Sequence, residues 1–164
     1  MTKHVLNDYE ISKDTLALIP AKHVDYYTIV IEKDQQLYVK KTTRQLIEPA
    51  CLEGGASYEG RRDAVSHQIG VRNKVPIPIN PREDIYAFPT HSPKQFECSW
   101  IFFHHIKSIK PHQKASNQSI VTFKNDQHLS INVSFSTLER QMHRTSFCIV
   151  RFSGRFDPPR FFGA

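Results

Sequence analysis

Two prolines set one residue apart in VPIPI (Val75 to Ile79) constrain this chain more than any other feature. Proline lacks a backbone N–H and has a fixed φ, so this segment must run extended, at the edge of a sheet or outside one. The residues before it narrow the options further. The pair Gly54–Gly55 permits a turn where a β-carbon would clash. Ser57 is placed to cap a helix over YEGRRDAVSHQI, and Gly70 is placed to end it. Glu59 falls in the first turn of that helix. Arg61, Arg62, Arg72 and Lys74, four cations within 14 residues, thus flank one short helix and one extended segment.

On the N-terminal side, residues 1–14 read as a polar, mobile arm. TLALIP is a short strand ended by its proline, and YTIVIEKD and LYVKKT form a hairpin that turns near Asp34–Gln36. Alternation puts Ile29 and Ile31 on one face and Val30 and Glu32 on the other, with one face expected on the core. Thr42 or Thr43 can cap a helix over RQLIEPACL, whose length Pro49 should limit.

On the C-terminal side, Asn80–Pro81 marks a turn, DIYAFP a strand and THSPKQFE a loop. CSWIFF and HIKSIK read as strands, as do SIVTFK and HLSINV around a turn at Asn125–Asp126. Ser136 and Glu139 form an S-x-x-E capping box for a longer last helix. Leu138, Met142, Thr145, Ile149 and Phe152 recur at helical spacing along it, and Gly154 can close it. The expected fold is α+β: a mainly antiparallel sheet with a few short helices and a longer C-terminal helix. Residues 15–154 would form a single domain, and residues 155–164, with Pro158–Pro159 and Phe161–Phe162, an irregular tail.

The chain's 164 residues suffice for one core, and 39% hydrophobic with 23% charged residues describe a globular protein. No apolar run is long enough to span a membrane, and the N-terminus lacks a secretory h-region, so a cytoplasmic location is expected. Cys51, Cys98 and Cys148 are odd in number and show no CxxC pair, which speaks against a disulfide framework or structural zinc. Cys51 and Cys98 sit among apolar neighbours, as buried structural thiols do. The net charge of +6 points to polyanionic partners, nucleic acid or an anionic membrane.

Three groups of cations are candidates for such contacts. The first is the Arg61, Arg62, Arg72 and Lys74 segment, read either as a phosphate-binding strip or as a solvated face. HHIKSIKPHQK supplies Lys107, Lys110 and Lys114. Adjacent His104 and His105 on a strand would face opposite sides, so no metal site is expected there. Lys107 and Lys110 would lie on opposite faces of a regular strand. In the last helix Arg140, Arg144 and Arg151 share one face, which serves phosphate contact and plain solvation equally well. No nucleophile–base–oxyanion pattern accompanies Cys51 or the histidine pair, so no catalytic residue, metal or cofactor is expected.

ASYEGRR, KVPIPI, IYAFPTHSP and CSWIFFHHIKSI, in this order and spacing, resemble the ComK family of bacterial competence transcription factors. The likeness runs from about VIEKDQQLYV to the helix around Leu138. It implies a cytoplasmic, nucleoid-associated transcription activator of competence genes that binds double-stranded DNA at AT-rich boxes. Binding would come from the minor-groove side, as a dimer or a pair of dimers (a tetramer on DNA), with RNA polymerase as a further contact. In that light the first cation group becomes a DNA-binding strip. Arg61 is then the first choice to enter a narrow, strongly negative A-tract groove, and Lys74 is placed on phosphate. The family also implies a tail that adaptor proteins recognise for regulated proteolysis. DPPRFFGA departs from that pattern, which puts adaptor control in doubt. SWIFFHHIKSIKP to VTFKNDQHLSINVSFSTLERQ resembles, at the level of pattern, the LytTR DNA-binding domain. The rival readings are an enzyme using Cys51 or His104–His105, an RNA-binding relative, and a ComK-like paralogue that no longer activates.

Overall fold

Hydrophobic alternation along the strands builds two sheets. The structure, a computed structural model, describes residues 4–153. Its strands are β1 (Val5–Leu6), β2 (Thr15–Pro20), β3 (Thr28–Glu32), β4 (Gln36–Val39), β5 (Ile77–Asn80), β6 (Ile85–Pro89), β7 (Trp100–Phe102), β8 (Ile106–Pro111), β9 (Ser119–Phe123) and β10 (His128–Ile131). Its helices are α1 (Thr43–Glu53), α2 (Tyr58–Ile69) and α3 (Phe135–Phe152). Seven strands pair in the order β1-β4-β3-β2-β7-β6-β5, and three in the order β10-β9-β8. All these pairs are antiparallel except β1 with β4. The fold is α+β, as expected.

Cross-strand register shows why the large sheet is covered on both sides. Ile31, Ala17, Ile101 and Phe88 lie side by side across β3, β2, β7 and β6. They pack with Ile106, Val121, Phe123 and Ile131 of the small sheet. The neighbouring row, Val30, Leu18 and Trp100, points the other way and joins Leu46, Ile47 and Cys51 of α1 with Tyr58 and Val65 of α2. The molecule is therefore three layers deep: helices, seven-stranded sheet, three-stranded sheet. Ile29 and Ile31 do share a face opposite Val30, but both faces of the hairpin are covered rather than one. A Leu- or Phe-sized side chain buried in either core contributes about 1.5–3 kcal/mol relative to exposure.

The two sheet edges are blunted by different means. The second half of VPIPI enters β5, an edge strand as its prolines allow, and Pro78 pairs with Tyr86 of β6. At the other edge β1 is only two residues long. It belongs to the stretch read as a polar, mobile arm; from Val5 on, that stretch is tied down, Val5 and Leu6 pairing with Tyr38 and Val39 and the Tyr9 hydroxyl hydrogen-bonding Glu32.

Helix ends follow the sequence closely in two cases and not in the third. Ser57 accepts from Gly60 N and caps α2, which Gly70 ends in the left-handed region at φ 74°. Thr42 caps α1 with a full capping box through Gln45. Pro49 does not shorten α1, because Leu46, Ile47 and Cys51 bury against the sheet and carry the helix through to Glu53. In α3 the capping residue is Ser134, accepting from Thr137 N, so the Ser136–Glu139 box lies inside the helix. The cause is upstream: Val133 is buried, and its carbonyl accepts from the Ser119 hydroxyl at 2.8 Å, which fixes where the chain can turn. The fully buried stripe of α3 is Leu138, Gln141, Thr145 and Cys148, with Met142, Ile149 and Phe152 half-buried beside it. Gly154, Pro158–Pro159 and Phe161–Phe162 lie outside the described residues.

His104 and His105 lie in a 3-10 turn, Phe103–His105, that carries the chain from one sheet to the other. They are not on a strand. A register shift between Ile106 and Ser108 then breaks the alternation of β8, so Lys107 and Lys110 are both exposed instead of facing opposite ways.

Candidate nucleic-acid interface

The start of α2 is anchored from beneath. Tyr58 is buried, its ring edge-on to Trp100 with centroids 6.3 Å apart. Its outer face carries the Arg44 guanidinium, 3.9 Å from the ring centroid. Arg44 Nε donates to Glu48 at 2.6 Å and Nη2 to Glu59 at 2.7 Å. Burial works against the Arg44 charge, but these hydrogen bonds outweigh it and raise its pKa. Glu59 is shared, since its other oxygen lies 3.3 Å from Arg62 Nε, while Arg62 Nη2 lies 3.5 Å from Asp63.

Helix α3 holds the loop between α2 and β5. Buried Gln141 donates Nε2 to the carbonyls of Lys74 and Pro89, each at 2.8 Å, joining that loop to the end of β6. Arg144 Nη1 donates to the Asn73 carbonyl at 3.2 Å and to Gln141 Oε1 at 3.3 Å. Burial, aided by the nearby Arg140 charge, lowers the Arg144 pKa. Lys74 itself sits in the left-handed region at φ 51°. A side chain rarely adopts this conformation, and here the two carbonyl clamps on either side hold it.

These elements enclose a groove of about 610 Å³ whose lining includes Arg44, Arg62, Arg72, Lys74 and Lys94. The structure thus brings together Arg62, Arg72 and Lys74 from the expected strip. It adds Arg44 from α1 and Lys94 from the β6–β7 loop, which sequence reading missed. Nothing local to RQLIEPACL or THSPKQFE marks those two, because only the tertiary fold sets them beside α2. Gln141 was missed too, since a glutamine in an apolar stripe reads as an interruption.

Arg61 points elsewhere. It is half-buried and donates Nη2 to the Gly54 carbonyl at 2.7 Å, tying α2 to the turn after α1. Its Nε is buried without a hydrogen-bond partner among the described residues. The neighbouring acids Glu59 and Asp63 pair with Arg62 instead.

The other candidates form separate surfaces. Lys107 pairs with Asp126 at 2.9 Å across the β9–β10 turn and holds that carboxyl below its usual pKa. Lys110 on β8 and Lys114 in the following loop are exposed, without an ion pair among the described residues. Arg140 is exposed on α3, whereas Arg144 and Arg151, the latter 3.5 Å from the Gln68 carbonyl, reach back to the body. The basic face expected on α3 is therefore largely occupied in holding α2 and its loop.

Cys51, Cys98 and Cys148 are buried and free. Burial pushes their thiols up to about 12, about 11 and about 12, which keeps them neutral near pH 7. Among the described residues no group of three or more His, Cys, Asp or Glu could hold a metal ion, and no helix is long and apolar enough to cross a membrane.

Residues 6–157 match the family model described as ComK protein. The chain is also 30% identical over 154 residues to a protein of Bacillus subtilis (strain 168) named competence transcription factor, covering 93% of this chain and 79% of that one. No solved structure gives a significant match. With the family model spanning most of the chain and the identity extending over nearly all of it, the protein belongs to the ComK family.

Proposed function

We propose that this protein is a competence transcription factor that binds double-stranded DNA and activates competence genes. It would read AT-rich boxes from the minor-groove side as a dimer or pair of dimers. The observation that carries this reading is the groove in which Arg44, Arg62, Arg72, Lys74 and Lys94, from four separate segments, converge on a protein of net charge +6. Phosphate contact sets register and affinity, and the narrow groove of A·T-rich DNA adds a field that guanidinium groups exploit without base-specific hydrogen bonds.

In this reading Arg62, Arg72 and Lys74 face the duplex, and Lys107, Lys110, Lys114 and Arg140 contribute outlying phosphate contacts. Arg144 acts by placing the Asn73–Lys74 backbone. Insertion of Arg61 into the minor groove requires it to release the Gly54 carbonyl. Two copies meeting two boxes would present two grooves to one side of the duplex, and RNA polymerase contact would fall on a surface away from them.

A gel-shift series on AT-box and GC-substituted duplexes tests the reading. It predicts tight binding to the first, much weaker binding to the second, and a salt slope of about −0.9 per neutralised phosphate. Equal binding to both duplexes, or a slope near zero, contradicts it. Matching RNA should bind less tightly, because RNA readers stack bases on exposed aromatic side chains and the one aromatic residue lining the groove, Tyr58, is buried. Arg61→Ala decides the role of that residue. Lost A-tract discrimination, on the order of 1–3 kcal/mol, assigns it to the groove. An early-melting protein that keeps the preference assigns it to the fold.

A further inference from the structure

The Glu59 carboxylate lies between two guanidinium groups, one oxygen 2.7 Å from Arg44 Nη2 and the other 3.3 Å from Arg62 Nε. Both arginines line the basic groove, and the Arg44 guanidinium lies over the Tyr58 ring with its Nε side already taken by Glu48. An oxyanion bridging two guanidinium groups has the donor geometry that a phosphate takes in such sites. From this arrangement we infer that Arg44 and Arg62 form a seat for one DNA phosphate, and that Glu59 occupies it in the free protein as an internal competitor. The inference rests on the DNA-binding reading above and assigns to it a residue, Arg44, and a built-in restraint, Glu59.

The exchange is physically easy. Side-chain exposure of 57% for Glu59, 43% for Arg44 and 45% for Arg62 puts the pairs in contact with solvent, where such bonds are weak and screened. Tyr58 and Glu48 keep Arg44 in place when Glu59 leaves, so the seat stays formed. The displaced carboxylate then stands beside the phosphates, and its repulsion sets a limit on affinity. A weakly bound, non-specific duplex that cannot use every groove contact suffers most from that limit. Glu59 therefore trades affinity for selectivity.

The test is Glu59→Gln against Glu53→Gln, two substitutions that change net charge equally, the second at an exposed α1 carboxylate outside the groove lining. Binding of a fluorescent AT-rich duplex and of a mixed-sequence duplex is titrated across salt. Vacating the seat should steepen the slope by about 0.9, which amounts to about eightfold tighter binding at about 0.1 M salt relative to 1 M. The mixed duplex should gain more than the AT-rich one, and an equal gain contradicts the selectivity role of Glu59. Glu53→Gln should change affinity about twofold or less, because a charge outside the seat acts only through a screened field. Arg44→Ala added to Glu59→Gln should abolish the gain, and Glu59→Ala should reproduce it. Equal tightening by Glu53→Gln and Glu59→Gln, or none from Glu59→Gln, overturns the seat while leaving DNA binding intact. Failure of the unsubstituted protein to bind either duplex overturns the DNA-binding reading itself.

Discussion

In the groove beside α2, Arg44 and Arg62 are held by ion pairs and the backbone of Lys74 is clamped. On the outer side of the three-stranded sheet the cations are exposed, and of Lys107, Lys110 and Lys114 only Lys107 has an ion pair among the described residues. Arg44 rests on Tyr58 and is bonded to two carboxylates, and Lys74 sits in a loop clamped by Gln141 and Arg144. Lys110 and Lys114 are exposed without ion pairs among the described residues, and Lys107 holds an exposed Asp126. A side chain ordered beforehand gives up less rotamer freedom when it meets a ligand. The groove is thus suited to contacts that depend on geometry, and the sheet face to attraction that depends only on charge.

This contrast disappears most completely if the packing beneath the groove fails. Gly54 has an ordinary φ of −78°, so its need for glycine is one of space: a β-carbon would meet the Ile79 carbonyl at 2.1 Å. Gly54→Ala should lose about 3 kcal/mol in denaturant unfolding, with part of the loss through Arg61, whose acceptor is that residue's carbonyl. Gln141→Leu comes next. It leaves the Lys74 and Pro89 carbonyls without their donor, for a loss of about 2 kcal/mol, and weakens DNA binding even where the variant is folded.

Smaller effects separate the two surfaces further. Arg72→Ala with Lys74→Ala should flatten the salt slope by about 0.9 for each phosphate no longer neutralised and reduce A-tract preference. Lys110→Ala with Lys114→Ala should flatten the slope alike but weaken all sequences equally and leave the melting temperature unchanged. The smallest effect concerns Asp126, whose carboxyl Lys107 holds below 3.8. A depressed carboxyl stabilises the fold above its unfolded pKa and loses that contribution as pH falls through its folded value. Lys107→Ala should raise the Asp126 pKa seen by NMR toward 3.8 and remove a small part of the acid sensitivity below that pH.

Much of this was legible in the sequence because it depends on local rules. Ser57 and Gly70 bound α2, Pro76 and Pro78 put β5 at an edge, and the hairpin alternation separated Ile31 from Val30 correctly. What failed depended on residues far apart in the chain. The α3 cap moved to Ser134 because Ser119 holds the Val133 carbonyl, and Pro49 stayed inside α1 because tertiary packing outweighed one missing hydrogen bond. The bulge at Lys107 and the turn at His104–His105 arise where the chain changes sheets, an event that alternation alone does not encode. At the interface the expected strip supplies three of the five cations that line the groove. Arg44 and Lys94 enter it from segments outside that strip, and Arg61 leaves it for a backbone carbonyl.

Whether the groove side of this protein reads the minor groove of A·T-rich DNA is decided by inosine substitution. An I·C pair presents the minor-groove pattern of A·T while changing the major groove, and a G·C pair adds the N2 amino donor to the minor groove. Binding of the AT-box duplex should persist when its A·T pairs are replaced by I·C and fall sharply when they are replaced by G·C. Loss of binding on I·C substitution would show that the sequence is read from the major groove and would contradict the proposed mode of recognition.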